Sequence, residues 1–173
     1  MKNIFTRNLL IAACCLVFPA GMSAQFSGSG SGTQDDPYRI FNADQLNQVR
    51  NFVEKTDVYF SLEADIDMTQ WIAENNPSQG WLPIGNNNSG FRGKFNGNGH
   101  TISNLWINRP STDYIGLFGK INDNTEILNL KLENADYAGN NYVGGITGYC
   151  HNASSITSCV FNGKISGNDY IGC

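Results

Sequence analysis

Apolar residues recur at helical spacing in one segment near the N-terminus of the chain. Leu46, Val49 and Val53 follow one another at intervals of three and four residues, which places their side chains on one face of a helix. Asn42 stands before them as an N-cap, and Gln45, three residues later, completes a capping box. The pattern predicts one amphipathic helix of about a dozen residues.

Elsewhere the apolar residues alternate with polar ones over short distances, as they do in strands. Residues 58–62 form one such run, and Ile66 and Met68 alternate with Asp65 and Asp67 in a second. Segments rich in Asn and Gly, residues that tolerate tight turns, separate the runs. The sequence therefore predicts turn-dense β structure.

Two apolar patterns repeat in the second half of the chain. A tripeptide of tyrosine, Ile or Val, and glycine begins at Tyr114, Tyr142 and Tyr170, so that both intervals are 28 residues. A second pattern, apolar-x-x-apolar-x-apolar, occurs at Ile102/Leu105/Ile107, Ile127/Leu130/Leu132 and Ile156/Cys159/Phe161. Because residues two apart lie on the same face of a strand, the last two apolar residues of each copy point to one side.

The repeat predicts the architecture. A period near 28 residues is short for a propeller blade, and the amphipathic runs of helical repeats are absent. The sequence predicts an all-β fold, a parallel β-helix with about three strands per coil and a core of inward apolar side chains. The amphipathic helix then caps its N-terminal end. Stacked copies would also align Asn104, Asn129 and Ser158 as a ladder of polar side chains at a corner.

Gly116-Leu117-Phe118-Gly119 resembles the GLUG motif, whose signature is Gly, Leu, a hydrophobe and Gly. Residues 83–102, 62–67 and 32–40 are similar to segments that precede the motif in such proteins, and the resemblance covers residues 30–173. It implies a bacterial protein, secreted or surface-exposed, with a right-handed parallel β-helix. The motif also occurs in bacterial immunoglobulin A1 peptidases and haemagglutinin-like adhesins.

Two further copies depart from this motif. Gly145-Ile146-Thr147-Gly148 has Thr where a hydrophobe is usual, and the third copy stops at Gly172-Cys173, in mid-motif. We therefore expect a β-helix over residues 62–173 that is truncated at its C-terminus. An uncapped last coil predicts self-association.

Composition and charge exclude several function classes. The 173 residues include 19 Gly and 23 Asn, only 15% are charged, and the formal charge is −4. Because no run of Lys or Arg occurs, a nucleic-acid-binding domain is excluded. No apolar stretch is long enough for a transmembrane segment.

The first 24 residues predict a secretory signal peptide. Lys2 and Arg7 form a basic region, residues 9–18 are apolar, and small residues then lead to cleavage near Ala24. A lipobox that ends at Cys14 is the alternative, although the apolar run continues past it. Cleavage leaves a mature chain of formal charge −6 that is secreted or on the outer cell surface.

The mature chain begins with a Gly/Ser-rich segment, residues 25–36, which predicts a flexible leader. Residues 37–61, which include the helix, are predicted to form the N-terminal cap. A disulfide between Cys150 and Cys159 is conceivable in an oxidising compartment. However, Cys159 falls at an inward apolar position, which favours a small buried side chain.

Few residues suggest catalysis. His100 and His151 are the only histidines, no H-E-x-x-H sequence occurs, and nothing in the sequence orients His151 toward Cys150 as a nucleophile pair. Asp65 and Asp67 share one strand face, as calcium ligands or a carboxylate pair do, but a solvated face is the simpler interpretation. The sequence therefore predicts no catalytic, cofactor-binding or metal-binding residues, and no cofactor.

Aromatic residues offer a different kind of site. Trp71, Trp81, Trp106 and several tyrosines could form a surface on which sugars stack, although Trp81 and Trp106 could equally lie in the core. A regular repeat without a catalytic set favours a non-catalytic, adhesin-like solenoid that binds host or matrix glycans or proteins. The alternative is the N-terminal segment of a larger secreted enzyme, either a GLUG-bearing peptidase or a polysaccharide-degrading β-helix.

Overall fold

The computed structural model describes residues 25–172, so the predicted signal peptide lies outside the described residues. Two short helices occur in this range, α1 (Ala43–Gln48), continued by a 3-10 turn at Val49–Phe52, and α2 (Thr69–Asn75). The strands are β1 (Tyr38–Ile40), β2 (Tyr59–Leu62), β3 (Ile66–Asp67), β4 (Lys94–Asn96), β5 (Thr101–Ser103), β6 (Trp106–Asn108), β7 (Phe118–Ile121), β8 (Glu126–Leu128), β9 (Lys131–Ala138), β10 (Asn141–Gly144), β11 (Thr147–Cys150), β12 (Ser155–Thr157), β13 (Val160–Ser166) and β14 (Asp169–Gly172). The prediction of an all-β chain is confirmed.

The strands pair in parallel and form curled sheets. One sheet runs β1-β2-β4-β8-β12 and another runs β13-β9-β5-β3, with β6 also beside β9. Two further ladders join β10 to β14 and β7 to β11. In the first sheet, Phe60 pairs with Phe95, Phe95 with Ile127, and Ile127 with Ile156. Each partner therefore comes from a segment 29 to 35 residues further along the chain.

The core consists of columns of apolar side chains from paired strands. Phe60, Phe95 and Ile127 are buried in one column, and Ile102 and Leu132 are fully buried and paired in another. A strand of three or four residues buries no more than three side chains. The strands are therefore stabilised mainly by packing on the strand before and the strand after.

The helix start was predicted correctly, whereas its length was not. The Asn42 side chain accepts a hydrogen bond from the Gln45 backbone N–H at 3.0 Å, and Gln45 Oε1 accepts one from the Phe41 N–H at 2.7 Å. Leu46 and Val49 are fully buried, as the apolar spacing predicted. The α-helix has six residues, after which the chain tightens into the 3-10 turn.

Residues 25–36, which composition predicts to be a flexible leader, pack against the sheet. Phe26 is only 4% exposed, and its ring centroid lies 4.8 Å from that of Tyr38. The backbone N–H of Tyr59 donates to the Gly32 carbonyl at 2.9 Å. Composition predicted flexibility because Gly and Ser dominate the segment, whereas in the structure a buried aromatic ring and backbone hydrogen bonds hold it against the sheet.

The structure supports the tyrosine repeat and corrects the first copy of the second pattern. Ile115 bridges to Val143 in parallel, and Val143 pairs with Ile171, as the 28-residue interval predicted. Ile102, however, pairs with Leu132 and not with Ile127. The two later copies align as predicted, with Ile127 on Ile156 and Leu132 on Phe161.

The predicted ladder of Asn104, Asn129 and Ser158 is divided in the structure, because Asn104 stacks on a different residue from the other two. Asn104 pairs with Asn134, whose Nδ2 donates to the Asn104 Oδ1 at 2.5 Å. Asn129 Nδ2 instead donates to Asn96 Oδ1, at 3.3 Å. The Asn129 backbone N–H donates to the carbonyl of Thr157, next to Ser158. Polar corners therefore do stack, but in two separate columns rather than one.

Cys150 and Cys159 are free thiols in this structure. Cys150 is exposed, whereas Cys159 is half-buried and packs against the core. Burial raises the pKa of the Cys159 thiol above its ordinary value. The side chain thus has the apolar packing role that the repeat predicted.

Tyr137 provides a test of the core. It is fully buried, and its hydroxyl has no hydrogen-bond partner among the described residues. An unsatisfied buried polar group costs about 1–3 kcal/mol. We expect Tyr137→Phe to increase the free energy of unfolding by about 1 kcal/mol in urea denaturation. Tyr59→Phe, at a half-buried position, is the control, and a loss of stability in Tyr137→Phe would contradict this account.

The outermost strands provide a second test. Val160 and Ile171 are 51% and 43% exposed on β13 and β14, and strands with such edges pair readily with other chains. We expect a polypeptide of residues 25–173 to self-associate, and Val160→Lys with Ile171→Lys to shift its light-scattering mass toward the monomer. Thr56→Lys with Ser78→Lys, in loops outside these strands, is the matched control. A monomeric wild type at high concentration would refute the expectation.

Candidate functional site

Three tyrosine rings form a column on the surface, which we call the tyrosine ladder: Tyr114, Tyr142 and Tyr170. The ring centroids are 5.0 Å and 4.7 Å apart, and the ring planes lie within 5° of parallel. These separations match the distance of about 4.7–4.9 Å between paired strands. The ring spacing is therefore set by the parallel backbone pairing.

The ladder tyrosines have left-handed backbone conformations. Their φ angles are +64°, +58° and +55°, in a region that costs an L-residue about 1–2 kcal/mol. Each of the two stacked ring pairs contributes about 0.5–1.5 kcal/mol. The strain of three left-handed residues exceeds the stabilisation from two stacked ring pairs. Asn or Gly would occupy these positions with less strain. Strain of this kind is typical of functional sites.

A fourth tyrosine, Tyr149 of β11, packs edge-on against the ladder. Its ring lies 6.0 Å from that of Tyr114 and 5.6 Å from that of Tyr142, nearly perpendicular to both. The Lys120 ammonium lies 5.8 Å from the centroid of the Tyr149 ring, a distance at which a cation is attracted to the ring face. The ladder thus belongs to a larger aromatic surface that also carries positive charge.

A cleft of about 350 Å³ adjoins the ladder at its first ring, and we call it the Tyr114 cleft. Its lining includes Arg50, Leu82, Pro83, Asn86, Asp113 and Tyr114. Tyr142 and Tyr170 do not line it, so the cleft lies at the end of the ladder opposite to Tyr170. Its volume is at the small end of the range of ligand pockets, about 300–1,000 Å³.

Arg50 reaches the cleft from the 3-10 turn. Its Nη2 donates to the Leu82 carbonyl at 2.8 Å, and its Nε donates to Asn47 Oδ1 at 2.8 Å. The guanidinium carbon lies 4.9 Å from the centroid of the Trp81 ring. Burial, with a smaller effect from Arg109, lowers the pKa of Arg50 to about 10. The side chain is therefore a half-buried cation at neutral pH.

Asp113 occupies another part of the cleft wall and is held by a column of polar side chains. Its Oδ1 accepts hydrogen bonds from Asn140 Nδ2 at 2.8 Å and from the Asn141 N–H at 3.1 Å. Asn168 Nδ2 in turn donates to Asn140 Oδ1 at 2.6 Å. The backbone pairing that stacks the rings therefore also stacks these groups, and it fixes Asp113 beside Tyr114.

The two histidines that the sequence singled out each bind a different aspartate. His100 Nδ1 lies 3.1 Å from Asp65 Oδ1, and His151 Nδ1 lies 2.7 Å from Asp123 Oδ1. The thiol of Cys150 donates to the backbone carbonyl of His151 at 3.7 Å. In the described part of the chain, neither imidazole ring is hydrogen-bonded to a Ser, Thr or Cys side chain.

Asp65 and Asp67 have separate structural partners. Asp65 Oδ1 also accepts a hydrogen bond from the Thr101 N–H at 2.8 Å. Asp67 Oδ1 accepts from both the backbone N–H and the hydroxyl of Thr69, at 2.8 Å and 2.6 Å, where α2 begins. Sequence analysis did not predict this helix, which begins directly after the alternation of Asp65, Ile66, Asp67 and Met68. Between residues 25 and 172, no cluster of three or more His, Cys, Asp or Glu side chains could hold a metal ion.

The tryptophans have structural positions. Trp81 is fully buried, and its Nε1 donates to the Leu117 carbonyl at 3.1 Å. Trp71 lies 5.5 Å from Trp81 and donates to Asp44 at 2.7 Å, and Trp106 packs against the core. Of the aromatic residues proposed for sugar stacking, the tyrosines are therefore the better candidates.

Sequence analysis did not identify Arg50 or Asp113. For Asp113 a signal exists, because Asp or Asn precedes each ladder tyrosine, at positions 113, 141 and 169. For Arg50 no local signal exists, since its carbonyl partner Leu82 lies 32 residues away.

Comparison with known proteins gives distant but extended similarities. No family model matches the sequence. Over 141 residues, 76% of the chain, it is 40% identical to a "Putative Gly-rich membrane protein" of Evansella cellulosilytica. Over 145 residues, 83% of the chain, it is 37% identical to "Halomucin" of Haloquadratum walsbyi. The chain spans only 16% and 2% of the lengths of these proteins.

One solved structure is also similar, the crystal structure of a "putative immunoglobulin A1 protease" from Bacteroides ovatus. The TM-score is 0.52 at 28% identity, over 68% of this chain and 32% of the other. No helix in residues 25–172 is long and apolar enough to cross a membrane. Together the similarities indicate a surface or secreted protein and nothing more specific.

The pairing of Asp65 predicts a pH dependence of stability. The Thr101 backbone N–H, followed by the His100 side chain, holds the pKa of Asp65 below its usual value. Such a carboxylate stabilises the fold above its unfolded pKa of about 3.9, and the contribution is lost as pH falls through the folded pKa. Asp65→Asn should therefore lower the Tm most at neutral pH and progressively less toward pH 3.

The measurement is thermal unfolding of both proteins over this pH range. Asp35→Asn is the control, because Asp35 makes no side-chain hydrogen bond among the described residues. A Tm difference between wild type and Asp65→Asn that stays constant with pH would contradict the assignment.

Proposed function

We propose that this chain is a right-handed parallel β-helix of the GLUG-motif type and a non-catalytic, adhesin-like protein that binds glycans. In this proposal it acts outside the cell, secreted or on the cell surface. The single observation that carries the glycan proposal is the tyrosine ladder with a cleft at its first ring.

The residues of the GLUG-like segment have packing roles that support the architecture. Leu117 and Phe118 are fully buried, and a Cβ on Gly119 would lie 2.4 Å from the Gly85 carbonyl oxygen. The motif thus combines two core side chains with a glycine that lets neighbouring backbone approach. Thr147, which departs from the motif, pairs with Phe118 and is half-exposed, so a polar side chain fits there.

The geometry of the ladder decides where a ligand can bind. Stacked rings cover one another's faces, so only the terminal rings offer a free face. Tyr170 is 72% exposed, and Tyr114 lines the cleft. The apolar side chains of Leu82 and Pro83 and the polar groups of Asn86 and Asp113 lie around Tyr114. A site that combines an aromatic ring with a few placed polar groups suits a small polar ligand such as a sugar.

The similarity to the Bacteroides ovatus structure favours a second candidate. In this alternative the chain is the N-terminal segment of a larger secreted enzyme, a GLUG-bearing peptidase or a polysaccharide-degrading β-helix. Sequencing the gene beyond codon 173 tests it. A catalytic domain in the same reading frame would support this alternative, and a stop codon there would exclude it.

Glycan binding is tested with an array of bacterial, host and matrix glycans and a polypeptide of residues 25–173. We expect at least one glycan class to bind. Tyr114→Asn should weaken the binding about tenfold, equal to about 1.4 kcal/mol, while thermal stability is unchanged or increased, because Asn relieves the left-handed strain.

Tyr59→Asn is the matched control, at a half-buried tyrosine of β2 outside the cleft. Its glycan affinity should equal that of the wild type. If no glycan binds, or if Tyr114→Asn and Tyr59→Asn bind alike, the proposal is refuted.

A further inference from the structure

Arg50 and Arg109 differ from the other arginines that the structure describes. Arg39 lies 3.1 Å from Asp36 and Arg92 lies 3.9 Å from Glu54. In residues 25–172, neither Arg50 nor Arg109 has a carboxylate within 4 Å. The chain has 15 acidic and 11 basic side chains, so the missing partner does not reflect a shortage of carboxylates.

The hydrogen bonds of these two arginines run to neutral groups. Arg109 Nε and Nη1 donate to the Trp81 carbonyl at 3.3 Å and to Gln79 Oε1 at 2.9 Å. Arg50 Nη1 has one distant acceptor, the Pro83 carbonyl at 3.5 Å. Because a guanidinium carries five N–H donors, Arg50 keeps donors without a close acceptor, and it lines the Tyr114 cleft.

The acidic groups near the cleft already have other hydrogen-bond or ion-pair partners. Asp113 is the only acidic residue in the lining, and its Oδ1 is held by two hydrogen bonds from Asn140 and Asn141. Glu54 accepts a hydrogen bond from Ser89 at the rim and lies 3.9 Å from Arg92. Arg50 is therefore the one cation in the cleft wall, and its charge is not neutralised there by an ion pair.

We propose that the Tyr114 cleft binds a sugar residue that carries a carboxylate, with the carboxylate on Arg50 and the sugar ring against Tyr114. The planar guanidinium matches a carboxylate in a bidentate arrangement, and partial burial strengthens their attraction. Hexuronic and sialic acids share this chemistry. The inference rests on the proposed glycan binding and names the chemical class of the ligand.

Isothermal titration calorimetry of residues 25–173 tests the inference with two matched pairs of probes. A hyaluronan tetrasaccharide, which contains glucuronate, is compared with its carboxyl-reduced form, and 3′-sialyllactose is compared with lactose. We expect the acidic member of one pair to bind at least about tenfold more tightly than its neutral partner. The preference should decrease as salt concentration rises. A preference in the hyaluronan pair identifies a uronate as the ligand, and a preference in the sialyllactose pair identifies a sialate.

Variants then assign the preference to Arg50. Arg50→Gln should abolish the preference for the acidic probe, whereas Arg109→Gln, outside the cleft lining, should retain it. Because Arg50 also holds the Leu82 carbonyl, a second variant keeps the test independent of folding. Asp113→Asn keeps an acceptor oxygen and removes a negative charge from the cleft wall, so it should increase the preference for the acidic probe over its neutral partner.

The outcomes separate this inference from the proposed function. If neutral and acidic probes bind alike and binding still depends on Tyr114, the carboxylate assignment is wrong and the glycan proposal stands. An unchanged or smaller preference for the acidic probe in Asp113→Asn also overturns the assignment. A peptide with a free C-terminal carboxylate that binds in place of every acidic sugar overturns the sugar class, and no binding by any glycan overturns both proposals.

Discussion

Parallel backbone pairing between segments about 30 residues apart is the constraint on which the rest of the structure depends. Strands of three or four residues are too short to be stable alone, so each persists because it pairs with at least one other strand. Each segment must also turn at the same place as its neighbour. Asn98, Asn129 and Ser158 accordingly share left-handed φ angles between +51° and +55°. The side chains of a residue type that recurs at one position of the repeat therefore stack in a column.

A sequence pattern predicts the register of the paired strands only when it occurs at a single position of the repeat. The tyrosine tripeptide gave the correct register because tyrosine with glycine occurs at one position of the repeat. The apolar pattern at Ile102 failed because apolar-x-x-apolar-x-apolar reflects local strand geometry, which is the same in different sheets. Ile102 and Ile107 both pair within β9, with Leu132 and Tyr137, and only long-range pairing decides this.

The candidate site was predicted in part for a similar reason. The ladder tyrosines are visible as a repeat, and the Asp or Asn before each tyrosine repeats with them. Arg50 belongs to no repeat, and its position is set by hydrogen bonds to carbonyls more than 30 residues away. Burial also cannot be judged from residue type, since Trp81 lies in the core while Tyr142, with a smaller ring, remains half-exposed.

The cleft lies where repeating and non-repeating parts of the chain meet. Ile84 bridges to Phe118 in parallel, so the segment around Leu82 and Pro83 precedes that of Tyr114 in the stack. This segment carries no tyrosine, and the column of rings ends there with one face of Tyr114 uncovered. The 3-10 turn then brings Arg50 to the same place through the Leu82 carbonyl. The repeat thus supplies the aromatic ring of Tyr114, and further copies of the repeat only lengthen the column of rings. The positive charge of Arg50 comes from the part of the chain that precedes the repeat. Selectivity for a ligand therefore depends on the part of the chain that does not repeat.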